Sequence, residues 1–272
     1  MKKLRFLLVL ALLCQLSSVV SVSATPLSTL RYVAPGGACA GLTPCYASVQ
    51  AAVDAAASGD EIRIATGAYT GVSTTNGVPQ MAYIATSLTL RGGYKADFSD
   101  RDPQLYPTTL DAGGLGRVLY IQGSSPSSLI DVTLDGLELT GGNWGSSEYV
   151  AYNDASGLSN SWWQAPAGGG IHAKNANLSI FNSRLYANVT FNGLGSGLFQ
   201  HYGALVLQNS TVSGNKGTGN PCCEPLLGDS GGGLFLLQVD ASIRNTSILN
   251  NEAGYGDDVN HATFAYGGGI FL

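Results

Sequence analysis

The chain has 272 residues, of which only 11% are charged while 37 are glycine, and its formal net charge is −5 at pH 7. An average soluble domain has roughly a quarter of its residues charged. The negative charge excludes the basic footprint of a nucleic-acid-binding protein. The scarcity of charge, together with the abundance of glycine, requires a structural explanation.

Residues 1–24 are predicted to be a secretory signal peptide. Three basic residues within the first five precede an apolar run over residues 6–13, and Val22-Ser23-Ala24 forms a small-residue cleavage site. Cleavage removes three of the 13 basic residues and none of the 18 acidic ones, so the mature chain has a formal charge of −8. No later apolar run is long enough to cross a bilayer. We therefore expect an extracellular or cell-surface protein.

Four cysteines remain after this cleavage, in a compartment where disulfides form. Cys39 and Cys45 enclose a short loop, which favours a local disulfide bond. Cys222 and Cys223 are adjacent, and a vicinal bridge, pairing with another chain and a reduced state all remain open. The spacing of the two pairs is not that of a zinc site, so we expect no metal there.

The mature chain opens with an N-terminal segment, residues 25–58, that is predicted to contain one helix. Residues 46–57 are alanine-rich and place apolar side chains at helical spacing. Further along, short alternating stretches predict strands. These stretches read DEIRIATGAY, SLTLRGGY, GRVLYIQG and LIDVTLDGLELTGGN.

An internal repeat dominates the second half of the chain. Three 21-residue segments align without gaps, and a fourth begins near the end of the sequence. They start at Gly168, Gly195, Gly231 and Gly267. Apolar residues recur at fixed offsets, as at Ile180, Leu207 and Ile243, and the three units close on Asn188, Asn215 and Asn251.

A unit of this length is too short for a sheet of its own, but it can form one coil of three short strands that stacks on its neighbours. Equivalent residues then lie about 4.8 Å apart, where charges repel but Asn and Ser/Thr hydrogen-bond along the stack. This accounts for the low charge and the high glycine content. A β-propeller would need blades of about 40 residues or more, which fits poorly.

The sequence therefore predicts an all-β fold, a right-handed parallel β-helix over residues 59–272. The ends of a solenoid expose apolar edges, so the helix in residues 25–58 is interpreted as a short N-terminal cap. The sequence stops one strand into a new coil, which predicts that the β-helix is truncated at its C-terminus.

The chain resembles bacterial right-handed parallel β-helix repeat proteins of the pectin-lyase-like superfamily. The resemblance lies in GDEIRIATGAY, in RGGYKADFSDRDPQLYPTTLDAGGLGRVLYI and in the GGGI units. The units are also similar to the repeats of polymorphic outer-membrane adhesins. Those repeats usually carry Phe three residues before the closing Asn, where this chain has Leu185, Val212 and Ile248. The resemblance implies the fold, but one fold hosts many functions.

The stretch GDSGGGL, from Gly228 to Leu234, resembles the nucleophile motif of trypsin-like serine proteases. The glycines and the following apolar residue recur at Gly168 and Gly267 without a preceding Asp-Ser pair. A serine nucleophile also needs a base and an orienting acid. We therefore interpret the motif as scaffold.

Two other polar features are also interpreted as structural. The glycosylation-type sequons at Asn177, Asn188, Asn209 and Asn245 lie largely at repeat offsets where Asn serves the stack or a turn. His172 lies on a predicted strand among small polar residues, and it is predicted to face solvent.

The functional candidates lie where the units are interrupted, over residues 143–168, 215–231 and 251–267. These connections leave from the same point of successive coils and should stack along one edge. Aromatic rings beside carboxylates suit sugar rings, although the aromatics would equally serve to pack the connections. The candidate sugar-binding residues are Trp144, Tyr152, Trp162, Trp163, Tyr255 and Tyr266.

The function predicted from these features is binding of a polysaccharide or cell-surface glycan. Nucleic acid is not expected as a partner, and membrane attachment is expected only through a C-terminal anchor beyond the sequence. The alternative is a polysaccharide lyase or glycoside hydrolase, in which Asp229, Asp257 and Asp258 are weak catalytic candidates. No cofactor is expected, except calcium if the protein is a lyase of this superfamily.

Overall fold

The structure is a computed structural model that describes residues 28–75, 77–144, 167–191, 193–218, 231–254 and 267–272. Within these residues the protein is all-β with one short α-helix, and all but one of the strand pairs are parallel. None of the described helices is long and apolar enough to span a membrane.

The elements of the first half are β1 (Leu30–Val33), a 3₁₀ turn (Pro35–Gly37), β2 (Cys45–Tyr46), α1 (Val49–Asp54), β3 (Asp60–Ala65), β4 (Gly67–Thr70), β5 (Ser73–Thr75), β6 (Val78–Ile84), β7 (Leu88–Tyr94), β8 (Thr108–Asp111), β9 (Arg117–Gln122), β10 (Ile130–Asp135), β11 (Glu138–Thr140) and β12 (Asn143–Trp144). Those of the second half are β13 (Ile171–Lys174), β14 (Ala176–Phe181), β15 (Arg184–Tyr186), β16 (Val189–Phe191), β17 (Leu198–Gln208), β18 (Thr211–Ser213), β19 (Lys216–Thr218), β20 (Leu234–Arg244), β21 (Ser247–Leu249) and β22 (Ile270–Phe271).

These strands form three sheets of 13, six and three strands. The chain visits the sheets in the same order in successive turns. It passes through β13 and β14 of the large sheet, β15 of the second sheet and β16 of the third, and then through β17, β18 and β19. Large parallel sheets connected in this way are compatible with a β-helix.

The pairing register confirms the alignment predicted from the repeat. Ile180 pairs with Leu207, and Leu207 pairs with Ile243. The same holds in the second sheet, where Val212 pairs with the apolar residues of both neighbouring coils. Ile180, Leu207 and Val212 are fully buried in one continuous apolar core. Equivalent apolar residues therefore stack inside the molecule.

A ladder of buried asparagine amides connects successive coils. Nδ2 of Asn188 donates to Oδ1 of Asn215 (2.9 Å) and to the carbonyl of Leu139 (3.1 Å). Nδ2 of Asn215 donates in the same way to Oδ1 of Asn251 (2.8 Å) and to the carbonyl of Leu185 (3.0 Å). Each amide thus uses both of its hydrogens, which a buried amide requires.

The glycines that open each unit are required by this ladder and by the turn before each strand. Gly195 has φ +60°, a conformation that glycine adopts without steric cost. A Cβ on Gly197 would lie 2.5 Å from the carbonyl oxygen of Gly233 and 2.9 Å from Nδ2 of Asn215. Glycine at this position therefore leaves room both for the asparagine amide and for the next coil.

The predicted helix is present but shorter than residues 46–57. α1 begins after Ser48, whose Oγ accepts a hydrogen bond from the amide of Ala51 (3.2 Å), and Val53 packs into the core. It ends at Asp54, after which the amide of Ala56 donates to the carbonyl of Val53 (3.0 Å) and the amide of Ala57 donates to the carboxylate of Asp60 (2.9 Å). Before α1, a disulfide bond between Cys39 and Cys45 closes a short loop.

We expect substitution of Asn215 by Ala to lower the free energy of unfolding by about 2–4 kcal/mol. It leaves the buried carbonyl of Leu185 and the amide of Asn188 without their partners. Chemical denaturation checks this, with Gln208→Ala as the control. Gln208 lies on the same coil outside the core, so its loss should cost within about 0.5 kcal/mol. Equal losses for the two variants would contradict a stabilising role for the ladder.

Candidate functional site

The three long connections of the second half attach beside the third sheet. The strand β12 ends at Trp144 and β19 ends at Thr218, and the register places Trp144 in line with Gly217 of β19. The residue that follows Lys216 in the stack is Glu252, just before the third connection. The attachment points are therefore aligned along one edge, as the repeat predicts.

Most of the candidate residues named from the sequence lie outside the described residues. This holds for the aromatic residues Tyr152, Trp162, Trp163, Tyr255 and Tyr266, for the carboxylates Asp229, Asp257 and Asp258, and for Cys222 and Cys223. Trp144 is described, and it occupies the wall of a groove.

This groove, here called the third-sheet groove, has a volume of about 440 Å³. It combines the third sheet with a corner of the earlier coils. Its lining residues are Pro79, Gly114, Leu115, Asn143, Trp144, Val189, Phe191 and Thr218. Phe191 is 40% exposed and Leu115 is 66% exposed, so two large apolar side chains are presented to solvent at one place. No ionisable side chain is found among these eight described residues.

The strands of the third sheet that line the groove follow directly on the asparagine ladder and are hydrogen-bonded to one another. The backbone amide of Gly142 donates to Oδ1 of Asn188 (2.9 Å), and the amide of Val189 donates to the carbonyl of Gly142 (2.7 Å). The hydroxyl of Thr218 donates to the carbonyl of Thr190 (3.2 Å). Val189 and Thr218 are therefore held on paired strands.

Trp144, one of the candidate sugar-binding residues, is packed against the coils, which is the alternative that the sequence left open for the aromatics of the connections. Its side chain is only 2% exposed, and the guanidinium of Arg117 lies 4.0 Å from the centre of the indole ring. One face of the ring is thus occupied by a cation, which is a favourable contact. The indole Nε1 is buried and has no hydrogen-bond acceptor among the described residues.

Behind Trp144 lies a buried polar cluster centred on the carbonyl of Ala167. Nε of Arg117 donates to this carbonyl (3.0 Å), and Nδ1 of His172 lies 3.2 Å from it. A carbonyl oxygen only accepts, so Nδ1 of the neutral imidazole carries the proton and Nε2 does not. His172 also packs edge-on against Tyr120, with the ring centres 4.9 Å apart.

The prediction that His172 faces solvent is wrong, because the side chain is 1% exposed. The residue occupies an aromatic column in which Phe199, Phe235 and Phe271 follow on successive coils, with ring centres 4.8–5.6 Å apart. The aligned repeat contained this signal, since the equivalent position in the three later units is always Phe.

Sequence reasoning missed most of the groove. Phe191 and Val189 follow the closing asparagine of a short unit, and neither lies in one of the connections that were singled out. The signal available in the sequence was the position directly after the closing asparagine, which aligns residues 189–191 with 216–218, as the register of the structure does. Among the described residues there is no group of three or more His, Cys, Asp or Glu side chains that could hold a metal ion.

Comparisons of the chain with protein families, with curated proteins and with solved structures found no match.

His172 should make stability depend on pH. Burial lowers the pKa of His172 well below its ordinary value, and the nearby charge of Arg117 lowers it further. The unfolded chain binds a proton near pH 6.5 while the folded chain does not, so the stability present above that pH is lost as the pH falls below it. The loss is about 1.4 kcal/mol between pH 7.5 and pH 5.5.

The measurement is chemical denaturation of the wild type and of His172→Phe, a substitution that copies the neighbouring coils. The difference in unfolding free energy between the two proteins should shift in favour of the variant at pH 5.5. Phe199→Leu, in the same column, should change stability equally at both pH values. A His172→Phe difference that is independent of pH would show that His172 does not titrate as described.

Proposed function

We propose that the protein is a secreted or cell-surface parallel β-helix that binds a polysaccharide or cell-surface glycan along the edge where its long connections attach. The observation that carries the proposal is the third-sheet groove. Exposed Phe191 and Leu115 offer apolar surface to the face of a sugar ring, while Asn143 and Thr218 supply polar groups beside them.

The in-register parallel sheets support the β-helix part of this proposal. Parallel strands joined by crossovers are right-handed in nearly all proteins, so we assign that hand to the coil. The N-terminal helix is proposed to close the first coil, because the apolar face formed by Val49, Ala52 and Val53 packs into the core beside β1 and β3.

Secretion is supported by the predicted signal peptide and by the disulfide bond between Cys39 and Cys45. Disulfides persist in oxidising compartments and are rare in the cytosol.

The low charge of the chain fits an uncharged ligand better than a strongly charged one. Lys216, which neighbours Val189 in register, is paired with Glu252 at 3.2 Å.

We expect Phe191→Ala to weaken glycan binding roughly tenfold, because about 1.4 kcal/mol of apolar contact with the sugar is lost. Binding is measured by calorimetry against a panel of soluble oligosaccharides that includes β-1,4-glucan, N-acetylated and uronic-acid oligomers. Leu105→Ala is the matched control, since Leu105 is 69% exposed but lies away from the groove, between β7 and β8. This control should bind as the wild type does.

Product assays on the same panel of oligosaccharides distinguish binding from cleavage. Reducing-end and unsaturated-product assays should show no turnover by the wild type. Product release that disappears in an Asp257→Ala, Asp258→Ala double variant would replace the binding proposal with the enzyme alternative. Failure of the wild type to bind any glycan of the panel would contradict the proposed function as a whole.

A further inference from the structure

We propose that two copies of this chain associate end to end through the free edge of β20, around a two-fold axis at Ser242. This inference goes beyond glycan binding and does not use the third-sheet groove. It starts from the coil that contains β20 and β21, which has only the short strand β22 after it among the described residues.

The apolar core is open at this coil. Leu205, Leu207 and Val212 are fully buried, whereas the residues that follow them in register are exposed or only partly buried. These following residues are Ala241, Ile243 and Ile248. Leu249 lies beside them and is 44% exposed. The open end of a stack of coils exposes apolar surface that is stabilised when it is covered, so this end is suited to association.

The backbone of β20 presents an unpaired edge at the same end. The two residues of β22 pair only with the first two of β20, and no described residue pairs with the outer side of β20 beyond them. The carbonyl of Arg244 accepts a hydrogen bond from the amide of Asn209, so the peptide groups of Arg244 face β17. Successive residues of a strand direct these groups to opposite sides. Ala241 and Ile243 therefore direct theirs to the open end, where they can pair with another strand.

The charged side chains of this edge are complementary to a second copy of the same edge. Asp240 and Arg244 are both exposed, carry opposite charges and lie symmetrically on either side of Ser242. Neither forms an ion pair with another of the described residues. A two-fold axis at Ser242 places Asp240 opposite the partner's Arg244, and Arg244 opposite the partner's Asp240. An axis at Asp240 or at Arg244 would place like charges opposite each other, which is destabilising. The charges therefore favour the register centred on Ser242.

The backbone and the core fit the same register. Ala241 lies opposite the partner's Ile243, and these are the residues whose peptide groups face the open end, so each such pair exchanges both of its hydrogen bonds. Asp240 and the partner's Arg244 then form the alternate kind of antiparallel pair, in which the Cα atoms are only about 4.5 Å apart and the side chains are close. One register thus serves the peptide groups, the apolar side chains and the charges. Because the interface is isologous, it closes at a dimer.

The test measures the oligomeric state of the mature protein. Sedimentation velocity should show a dimer whose dissociation constant rises with salt concentration, because exposed charges are screened by salt. Asp240→Arg places arginines opposite each other on both sides of the axis, and it should raise the dissociation constant at least tenfold. Asp131→Arg is the matched control. Asp131 is exposed in the same outward column as Asp240 but lies on the earlier strand β10, so this variant should dimerise as the wild type does.

A double variant distinguishes loss of the interface from general damage to the fold. Asp240→Arg combined with Arg244→Asp exchanges the two charges and again places opposite charges across the axis, so it should dimerise as the wild type does. A protein that the first substitution had unfolded would not recover on the second. Hydrogen exchange provides an independent readout, since the amides of Ala241 and Ile243 should be protected in the dimer and exchange rapidly in Asp240→Arg.

Three outcomes overturn the inference. A monomeric wild type would show that the open end is not covered by a second copy of the chain. A dimer that Asp240→Arg leaves intact would place the interface elsewhere on the molecule. A double variant that stays monomeric would reject the two-fold register at Ser242. None of these outcomes affects the proposal of glycan binding, which is tested at the groove.

Discussion

The structure depends on the buried asparagine ladder. A carboxamide inside the molecule is satisfied only if the next coil brings an equivalent asparagine to hydrogen-bonding distance. Asn188 and Asn215 meet this condition, the first through Asn215 and the second through Asn251. Because an unsatisfied buried amide is costly, each coil is locked in register with its neighbours. The glycine that contacts each amide is part of the same constraint, and therefore both residues recur together along the chain.

This constraint determines where variation is possible. Inward positions and the turns are fixed by stacking, so binding chemistry is confined to outward positions and to the connections. The third sheet starts directly after the ladder, and its outward side chains, such as Val189 and Phe191, stand on strands that cannot shift in register. A site on such strands loses little conformational freedom on binding.

The repeat was sufficient to predict the stacking of Ile180, Leu207 and Ile243, because a local pattern at constant offsets reports a local periodic structure. The antiparallel pair of β5 and β6 and the early end of α1 could not be predicted. At the second of these, the carboxylate of Asp60, which lies beyond the helix, accepts a hydrogen bond from the amide of Ala57. Tertiary hydrogen bonds of this kind leave no periodic signature.

The candidate site was even less accessible to sequence reasoning. The groove joins residues as far apart as Pro79 and Thr218, and only the coiling of the chain brings them together. Trp144 is a residue of the type that stacks on sugar rings, but it is buried, and one face of its ring contacts Arg117 from another strand. Burial and cation contact are properties of the assembled coils, so aromatic composition alone could not predict them.

His172 shows how the scaffold and the groove are connected. In the next coil, the carbonyl of Leu194 accepts a backbone hydrogen bond from Gly168. The carbonyl of Ala167, its partner across the stack, accepts instead from the side chains of Arg117 and His172. A phenylalanine at this position would complete the aromatic column but offer no donor. The histidine therefore replaces a backbone donor with an imidazole. The arginine that shares this carbonyl also packs against the indole of Trp144, a residue that lines the groove.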